Sequence, residues 1–248
     1  MRILRNPLLV IDFDKTVTIK DTIALLAQFG IDHNKKSQPW SYYTQAYLHD
    51  YNQHCPNQPN HDSVSQLLHH LNSYKNVELA SLTRVSQGKV FQGLTRDMLY
   101  EQGKRHQHLL QPDLVSVLSQ IPKQFIRVVS VNWSKDWILG FLHELDLSRH
   151  QIYSNDLDFQ GLHSTGDIIP SILTTGDKQE VIRTFQSSVV YIGDSLGDLE
   201  PLVNADVGII LGRDPSLWQA VNQFNLNLHR VDHWLQIKKI LQSMVYYN

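Results

Sequence analysis

LLVIDFDKTVT, Leu8 to Thr18, runs from a continuously apolar stretch straight into two aspartates, Asp12 and Asp14, with Thr16 just beyond. A short, unbroken apolar run rich in branched side chains suits the centre of a parallel sheet whose two faces are both covered by helices. Open α/β sheets place their ligands at the carboxyl ends of such strands. Side chains alternate along an extended strand, yet where the chain begins to turn, Asp12 and Asp14 can converge on one point. Two carboxylates brought together outside an apolar strand repel each other unless a positive charge lies between them, so the stretch predicts a bound cation.

Outward from this stretch the chain has two textures. Asp21 or Thr22 can cap a helix over IALLAQF, which is expected to stop at Gly30. Up to about His108 there follow only helical patterns joined by polar loops: WSYYTQAYLHDY, SVSQLLHHL, LASLTRVSQGKVF and TRDMLYEQGKRH. HCPNQPNHD, between the first two of these, reads as an exposed loop. From about Pro112 helices and strands alternate. DLVSVLSQI leads into the strand FIRVVSV, the helix WILGFLHEL, the short strand QIYSN and a Gly-containing excursion to Thr175. The helix DKQEVIRTFQ, the strand SVVYIG, the helix DLEPLVNA, the strand VGIIL and a C-terminal helix complete the pattern. Such alternation predicts an α/β fold with a doubly wound parallel sheet. The first strand has to join that sheet, so the helical block is an insertion. The expected organisation is a core of residues 1–20 and 108–248 carrying an inserted helical cap over 21–107.

The global numbers narrow the function. Over 248 residues the net charge is −2 and 19% of residues are charged, which leaves no basic footprint for nucleic acid or an anionic membrane. The single cysteine, Cys55, excludes an internal disulfide, a thiolate metal cluster and a redox pair. No apolar run approaches the ~20 residues needed to span a bilayer. The N-terminus enters a strand without a signal-type segment, so a cytoplasmic protein with a small-molecule partner is expected.

Later strand ends supply partners for the first. The strand ending at Ser130 offers a hydroxyl and following amides that can hold a phosphoryl oxygen. Lys178 opens the helix after TTGD, where its ammonium can neutralise an anion or the carboxylates. GDSLGD places Asp194 and Asp198 four residues apart, on one face if the turn is helical. Taken singly these are weaker signals: an aspartate after a strand is a common cap, Ser130 alone is uninformative, and Lys178 in a first turn opposes the helix dipole, a mild misfit that slightly favours function over surface decoration. Their coincidence at several strand ends is the specific signal.

With these motifs in hand, the sequence resembles the haloacid dehalogenase superfamily of phosphotransferases. Asp12, Asp14 and Thr16 match DxDxT, Ser130 the second motif, Lys178 the third, and GDSLGD the acidic fourth. The insertion is similar to the type 1 helical cap of phosphoserine phosphatase-like members. A closer resemblance is to the haloacid dehalogenase-like domain of plant thiamine monophosphate phosphatases and their fungal relatives. It is carried by DFDKTVTIKDT, by Trp40 with Tyr47 and Tyr51, and by RVSQGKVFQGLTRDMLYEQGKR, VVSVNWSKDWI and YIGDSLGDLEPLVNADVGIILG.

The resemblance implies a Mg²⁺-dependent phosphomonoester phosphatase. Asp12 would be the nucleophile that forms an aspartyl-phosphate, and Asp14 the acid and then the base. Mg²⁺ would be held by Asp12, the backbone carbonyl of Asp14 and Asp194, with Asp198 either a ligand through water or a partner for Lys178. Ser130, the Val131 amide and Lys178 would hold the transferring oxygens. The cap would choose the substrate. Asp21 stands where phosphoserine phosphatases carry a glutamate that contacts the substrate's amino group. Trp40, Tyr43, Tyr47, Asn132 and Trp133 are further candidate contacts, the aromatic ones suited to a flat cationic phosphomonoester such as thiamine monophosphate. Tyr43, Tyr47 and Tyr51, spaced by four, can equally be cap packing. Arg84 lies near where phosphoserine phosphatases place a carboxylate-binding arginine.

Other classes remain to be separated. GDSLG matches the nucleophile elbow of a serine esterase, with Ser195 as nucleophile, but the block lies late in the chain and no D-x-x-H follows it. A superfamily member that binds a phosphometabolite without turnover is the non-enzymatic alternative.

Overall fold

The computed structural model describes residues 3–55 and 60–247. β1 (Leu4–Arg5) and β2 (Leu8–Ile11) are followed by the helices α1 (Ile23–His33), α2 (Trp40–His54), α3 (Val64–Ser73), α4 (Lys75–Gln87) and α5 (Arg96–Arg105). Then come α6 (Leu114–Leu118), β3 (Ile126–Val129), α7 (Lys135–Phe141), β4 (Ile152–Tyr153), and the hairpin of β5 (Asp156–Gln160) and β6 (His163–Ile169). The chain continues through α8 (Thr175–Arg183), β7 (Val189–Gly193), α9 (Leu199–Asn204), β8 (Val207–Leu211) and α10 (Pro215–Gln223). It ends in β9 (His229–Val231), α11 (Trp234–Met244) and β10 (Val245–Tyr246).

Six strands form a parallel sheet in the order β4-β3-β2-β7-β8-β9, with β2 between β3 and β7. Alternation along the strands divides the core in two. Leu9 and Ile11 join Val128, Ile192 and Ile209 beneath Trp137, Phe141, Trp234 and Ile237. Leu8 and Val10 join Val129, Tyr191 and Ile210 beneath Leu199, Leu202, Leu217 and Val221. Both faces are therefore covered, which is why β2 is apolar at every position.

Helices α1 to α5 lie in sequence between the neighbouring strands β2 and β3, so they are an insertion into the sheet topology. Their last member is seated on the core. A Cβ on Gly140 of α7 would lie 2.1 Å from the Tyr100 carbonyl oxygen of α5, so only glycine permits this crossing. At the other side α3 buries Leu67 in the second core cluster. Asn72 accepts from the Gly176 amide at 2.8 Å and donates to Glu200 at 3.1 Å.

Three expectations are corrected. Helix α1 runs through Gly30 to His33; Gly30 lies within it as a point of close approach, where a Cβ would meet the Val90 carbonyl oxygen at 2.8 Å. The excursion to Thr175 contains the antiparallel hairpin β5–β6, joined to the inserted block by bonds such as Gly93 N to Ser164 O at 2.9 Å. The C-terminal region holds two helices with the edge strand β9 between them. Within the expected loop HCPNQPNHD, residues 56–59 lie outside the described residues.

Candidate active site

Asp12 is the residue that leaves β2. Its amide still donates to Ile192 O at 2.9 Å, extending the ladder, while its carboxylate projects beyond the strand end. The next residues turn at once: Val17 and Thr18 both donate to Phe13 O, and Lys15 takes a left-handed φ of 63°. Lys178 reaches in from α8 and donates to Asp12 Oδ1 at 2.6 Å and to Asp198 Oδ1 at 2.7 Å. Asp198 also accepts from the Tyr191 hydroxyl at 2.7 Å and from the amides of Asp194 and Ser195 at 3.1 and 3.2 Å. It ends a single 3₁₀ turn, Leu196–Asp198, whose carboxylate folds back over Gly193. A Cβ at Gly193 would lie 2.4 Å from Asp198 Cγ, which explains the glycine that closes β7. Asp194 accepts from the Thr16 hydroxyl at 3.1 Å.

One carboxylate oxygen from each of Asp12, Asp194 and Asp198 falls within 4.8 Å of the others, and all three residues are buried. Burial raises the Asp12 carboxyl well above the usual range, with Lys178 pulling it the other way and Asp198 and Asp194 adding to the rise. Burial, then the Asp198 charge, pushes Asp194 up to about 7. Burial opposes the Lys178 charge, but Asp12 and Asp198 more than offset it and hold the ammonium above its ordinary range. The cluster thus carries more negative charge than Lys178 balances, in an all-oxygen donor set of the kind that suits Mg²⁺. Among the described residues no hydrogen-bond donor meets the second oxygen of Asp12 or of Asp194, so each keeps an oxygen that could serve as a metal ligand. Asp198 differs, because both of its oxygens are already occupied by Lys178, Tyr191 and backbone amides.

Asp14 is not part of that carboxylate group. After the turn at Phe13 its Oδ1 accepts from the Thr22 amide and hydroxyl, at the start of the insertion, both at 2.7 Å. Its Oδ2 accepts from Asn132 Nδ2 at 2.9 Å. Burial pushes the Asp14 carboxyl up to about 6, the Asp21 charge adding to the effect and the Thr22 and Asn132 hydrogen bonds lowering it. Ser130 ends the neighbouring strand, fully buried, and its hydroxyl accepts from the Asn132 amide at 3.1 Å. The Val131 carbonyl accepts from Asn155 at 2.8 Å. Asp12, Ser130 and Asp194 therefore sit at the carboxyl ends of three adjacent strands, β2, β3 and β7.

The candidate substrate residues divide into two groups. Asp21 is exposed and accepts from the Ile23 amide at 2.8 Å, a local turn just before α1, with its charge close to Asp14. Trp133 meets Trp40 of α2 edge-on at 5.9 Å and Phe91 at 6.2 Å, which makes an aromatic contact between the loop after β3 and the insertion. Tyr43 and Tyr47 face α4 instead: the Tyr43 hydroxyl covers Gly88, and Tyr47 donates to Glu78 at 2.7 Å. Tyr51 stacks on Tyr74 at 4.5 Å. That stripe is used to pack α2 against its neighbours, because four-residue spacing puts all of it on one helix face. Arg84 pairs with Asp50 at 2.5 Å, within the same packing. Ser195 donates only to Asp198, at 3.4 Å, and among the described residues no histidine hydrogen-bonds it.

Sequence reading overlooked Tyr191 and Trp137. Each is a polar-tipped aromatic fully buried in an apolar element, and such residues need a partner. Tyr191 finds Asp198, and Trp137 Nε1 donates to the Thr22 hydroxyl at 3.2 Å.

No family model matches the sequence. A CTO1 family protein of Schizosaccharomyces pombe is 28% identical over 244 residues, covering 88% of this chain and 86% of that protein. The bifunctional TH2 protein, mitochondrial, of Arabidopsis thaliana is 25% identical over 260 residues, 87% of this chain but only 41% of the relative. Among solved structures, a phospho-aspartyl intermediate analogue of phosphoserine phosphatase superposes with a TM-score of 0.52 at 16% identity, covering 98% of this chain and all of that one. Cytosolic 5′-nucleotidase IIIB bound to cytidine superposes with a TM-score of 0.62 at 15% identity, covering 96% and 84%. The strand order of this chain, its inserted helices and these superpositions agree that it shares the fold of the phosphoserine phosphatase and of the cytosolic 5′-nucleotidase.

Proposed function

We propose that the protein is a phosphomonoester phosphatase that works through an aspartyl-phosphate on Asp12. The observation that carries this reading is the buried array at the ends of β2 and β7, in which Lys178 bridges Asp12 and Asp198 while Asp194 stands beside them. A carboxylate fixed at a strand end can attack phosphorus in line and divide the displacement into two steps. Lys178 offers a charge where the equatorial phosphoryl oxygens gather negative charge, and the Ser130 hydroxyl lies at the neighbouring strand end for the same purpose. Asp14, bound by Thr22 and Asn132, gives its proton to the leaving oxygen and later takes one from the attacking water. Asp12 and Asp194 would hold Mg²⁺ together with the Asp14 carbonyl, and the bound ion would supply positive charge against the repulsion between carboxylates and phosphate. Asp198 acts in this reading by holding Lys178 in place.

For the substrate we propose a small cationic or amino phosphomonoester, thiamine monophosphate being the first candidate. The support is the aromatic contact of Trp40, Phe91 and Trp133 between core and insertion, the Asp21 carboxylate near Asp14, and the similarity to the Arabidopsis TH2 protein. A phosphate-release screen over thiamine monophosphate, phosphoserine, phosphocholine, nucleoside monophosphates and sugar phosphates, each with Mg²⁺ or with excess chelator, tests both levels. Release that needs Mg²⁺ is expected. Full activity in chelator would count against the metal assignment, and no release from any ester against the phosphatase itself.

A further inference from the structure

The surroundings of Asp14 contain more information than the reaction class requires. Thr22, Asn132 and Trp137 are each fully buried, and they come from three separate places: the start of the insertion, the loop after β3, and α7. Their hydrogens can be counted completely. Asn132 Oδ1 accepts from the amides of Trp133 at 2.8 Å and Ser134 at 3.4 Å, which orients the amide with Nδ2 toward Asp14. The two hydrogens of Nδ2 then go to Asp14 Oδ2 at 2.9 Å and to Thr22 Oγ1 at 3.3 Å. Trp137 Nε1 can only donate, and it also points at Thr22 Oγ1. With two donors on its lone pairs, the Thr22 hydroxyl has one direction left for its own hydrogen, toward Asp14 Oδ1 at 2.7 Å. Oδ1 also receives the Thr22 amide, so both of its lone pairs are taken. Oδ2 receives one donor and keeps one lone pair free.

On this accounting we infer that Thr22 and Asn132, with Trp137 behind them, are positioning residues that confine the transferable proton of Asp14 to Oδ2 and hold that oxygen in one orientation. The inference rests on the phosphatase reading above. As an Asp12 oxygen bonds to phosphorus, the bond to the leaving oxygen breaks and its electron pair stays on that oxygen, which takes the Oδ2 proton and leaves Asp14 as a carboxylate. In the second half a water oxygen bonds to phosphorus and the Asp12–phosphorus bond returns its pair to Asp12. Oδ2 meanwhile accepts one of the water's protons. Because Thr22 is the N-cap of α1, the residue that fixes the acid also stands immediately before the inserted helices.

A positioning role for an acid can be told apart from a merely structural one by its dependence on the leaving group. An alkoxide needs the proton in order to leave, whereas p-nitrophenolate does not. General acid–base catalysis contributes roughly 10²- to 10⁴-fold. In the full-length protein with Mg²⁺, kcat/KM should be measured for p-nitrophenyl phosphate and for an alkyl ester such as glycerol phosphate. We expect Thr22→Val and Asn132→Leu to lower the alkyl-to-aryl ratio at least about tenfold, since they remove part of that contribution. Thr22→Ser, which keeps the hydroxyl, should restore the wild-type ratio. Equal losses on both esters, or an unchanged ratio, would overturn the inference. Should Thr22→Val not fold, Asn132→Ala and Trp137→Phe carry the same expectation, and wild-type ratios in both would overturn it. A folded wild-type protein that cleaves neither these esters nor any other in the screen is a failure of the phosphatase reading itself, which separates the two.

Discussion

Lys178 is the residue on which the site's electrostatics depend. It is almost wholly buried between Asp12 and Asp198, and removing one member of such a group leaves the others unbalanced in a low-dielectric interior. Lys178→Met should therefore cost roughly 3–5 kcal/mol of stability by denaturant unfolding, in addition to its loss of turnover. Asp12→Asn keeps the shape, removes the proposed nucleophile and, unlike the loss of Lys178, lessens the excess negative charge of the group. It should fold with a melting temperature close to wild type and release no phosphate; substantial residual turnover would argue against the covalent route. Ser195→Ala separates the phosphatase from the esterase: its hydroxyl makes only a long bond to Asp198, so activity should persist at least in part, where an esterase would lose all of it. At this scale the acidic and basic residues were legible, because carboxylates on an apolar strand need an explanation. Tyr191 and Thr22 were not, since their importance comes from partners seven and eight residues away on a folded path.

Among the elements, glycine marks the places where backbones or side chains come closest. Gly193 leaves space for the Asp198 carboxylate, and Gly140 and Gly103 let α7 and α5 cross with almost no gap. Gly140→Ala would place a methyl group 2.1 Å from the Tyr100 carbonyl oxygen. It should lower stability by about 1–3 kcal/mol through forced separation of the helices, seen as a reduced melting temperature. A melting temperature equal to wild type would show that this crossing has slack. None of these approaches is written in periodicity, which records which face of an element is apolar and not what lies against it. The same limit explains α1: Gly30 looked like a C-terminal stop, and its neighbour Phe91 comes from a distant part of the chain.

At the scale of the whole molecule, the insertion is tied to the core in two places along its helical block, by α5 on α7 and by Asn72 and Lys75 of the α3–α4 region on α8. The buried carboxyls set the pH response of this assembly. Asp14 and Asp194 are pushed up to about 6 and about 7 from 3.8, so between these limits the folded state holds more protons than the unfolded chain. Their contribution to stability is thus fully present at low pH and lost as pH rises through that interval. Metal-free protein should become less stable from about pH 4 to pH 7, with a shallower slope in Asp14→Asn, and Mg²⁺ should stabilise it more at pH 7.5 than at pH 5. Thermal melts in chelator and in Mg²⁺ across this range check both; a flat or rising profile in both proteins would refute the assignment. No helix among the described residues is long and apolar enough to cross a membrane.

By itself the sequence determined the parallel α/β sheet and the inserted helices, because hydrophobic periodicity and strand–helix alternation are local properties that burial alone imposes. It also placed Asp12, Ser130, Lys178 and Asp194 at strand and helix ends. Only the tertiary structure decided how these groups divide. Asp198 holds Lys178, Asp14 is bound by Thr22 and Asn132, and the tyrosine stripe packs α2 on α4. Those outcomes depend on which distant side chain satisfies a buried donor or acceptor, and such pairing is settled by the way strands and helices stack, not by spacing along the chain.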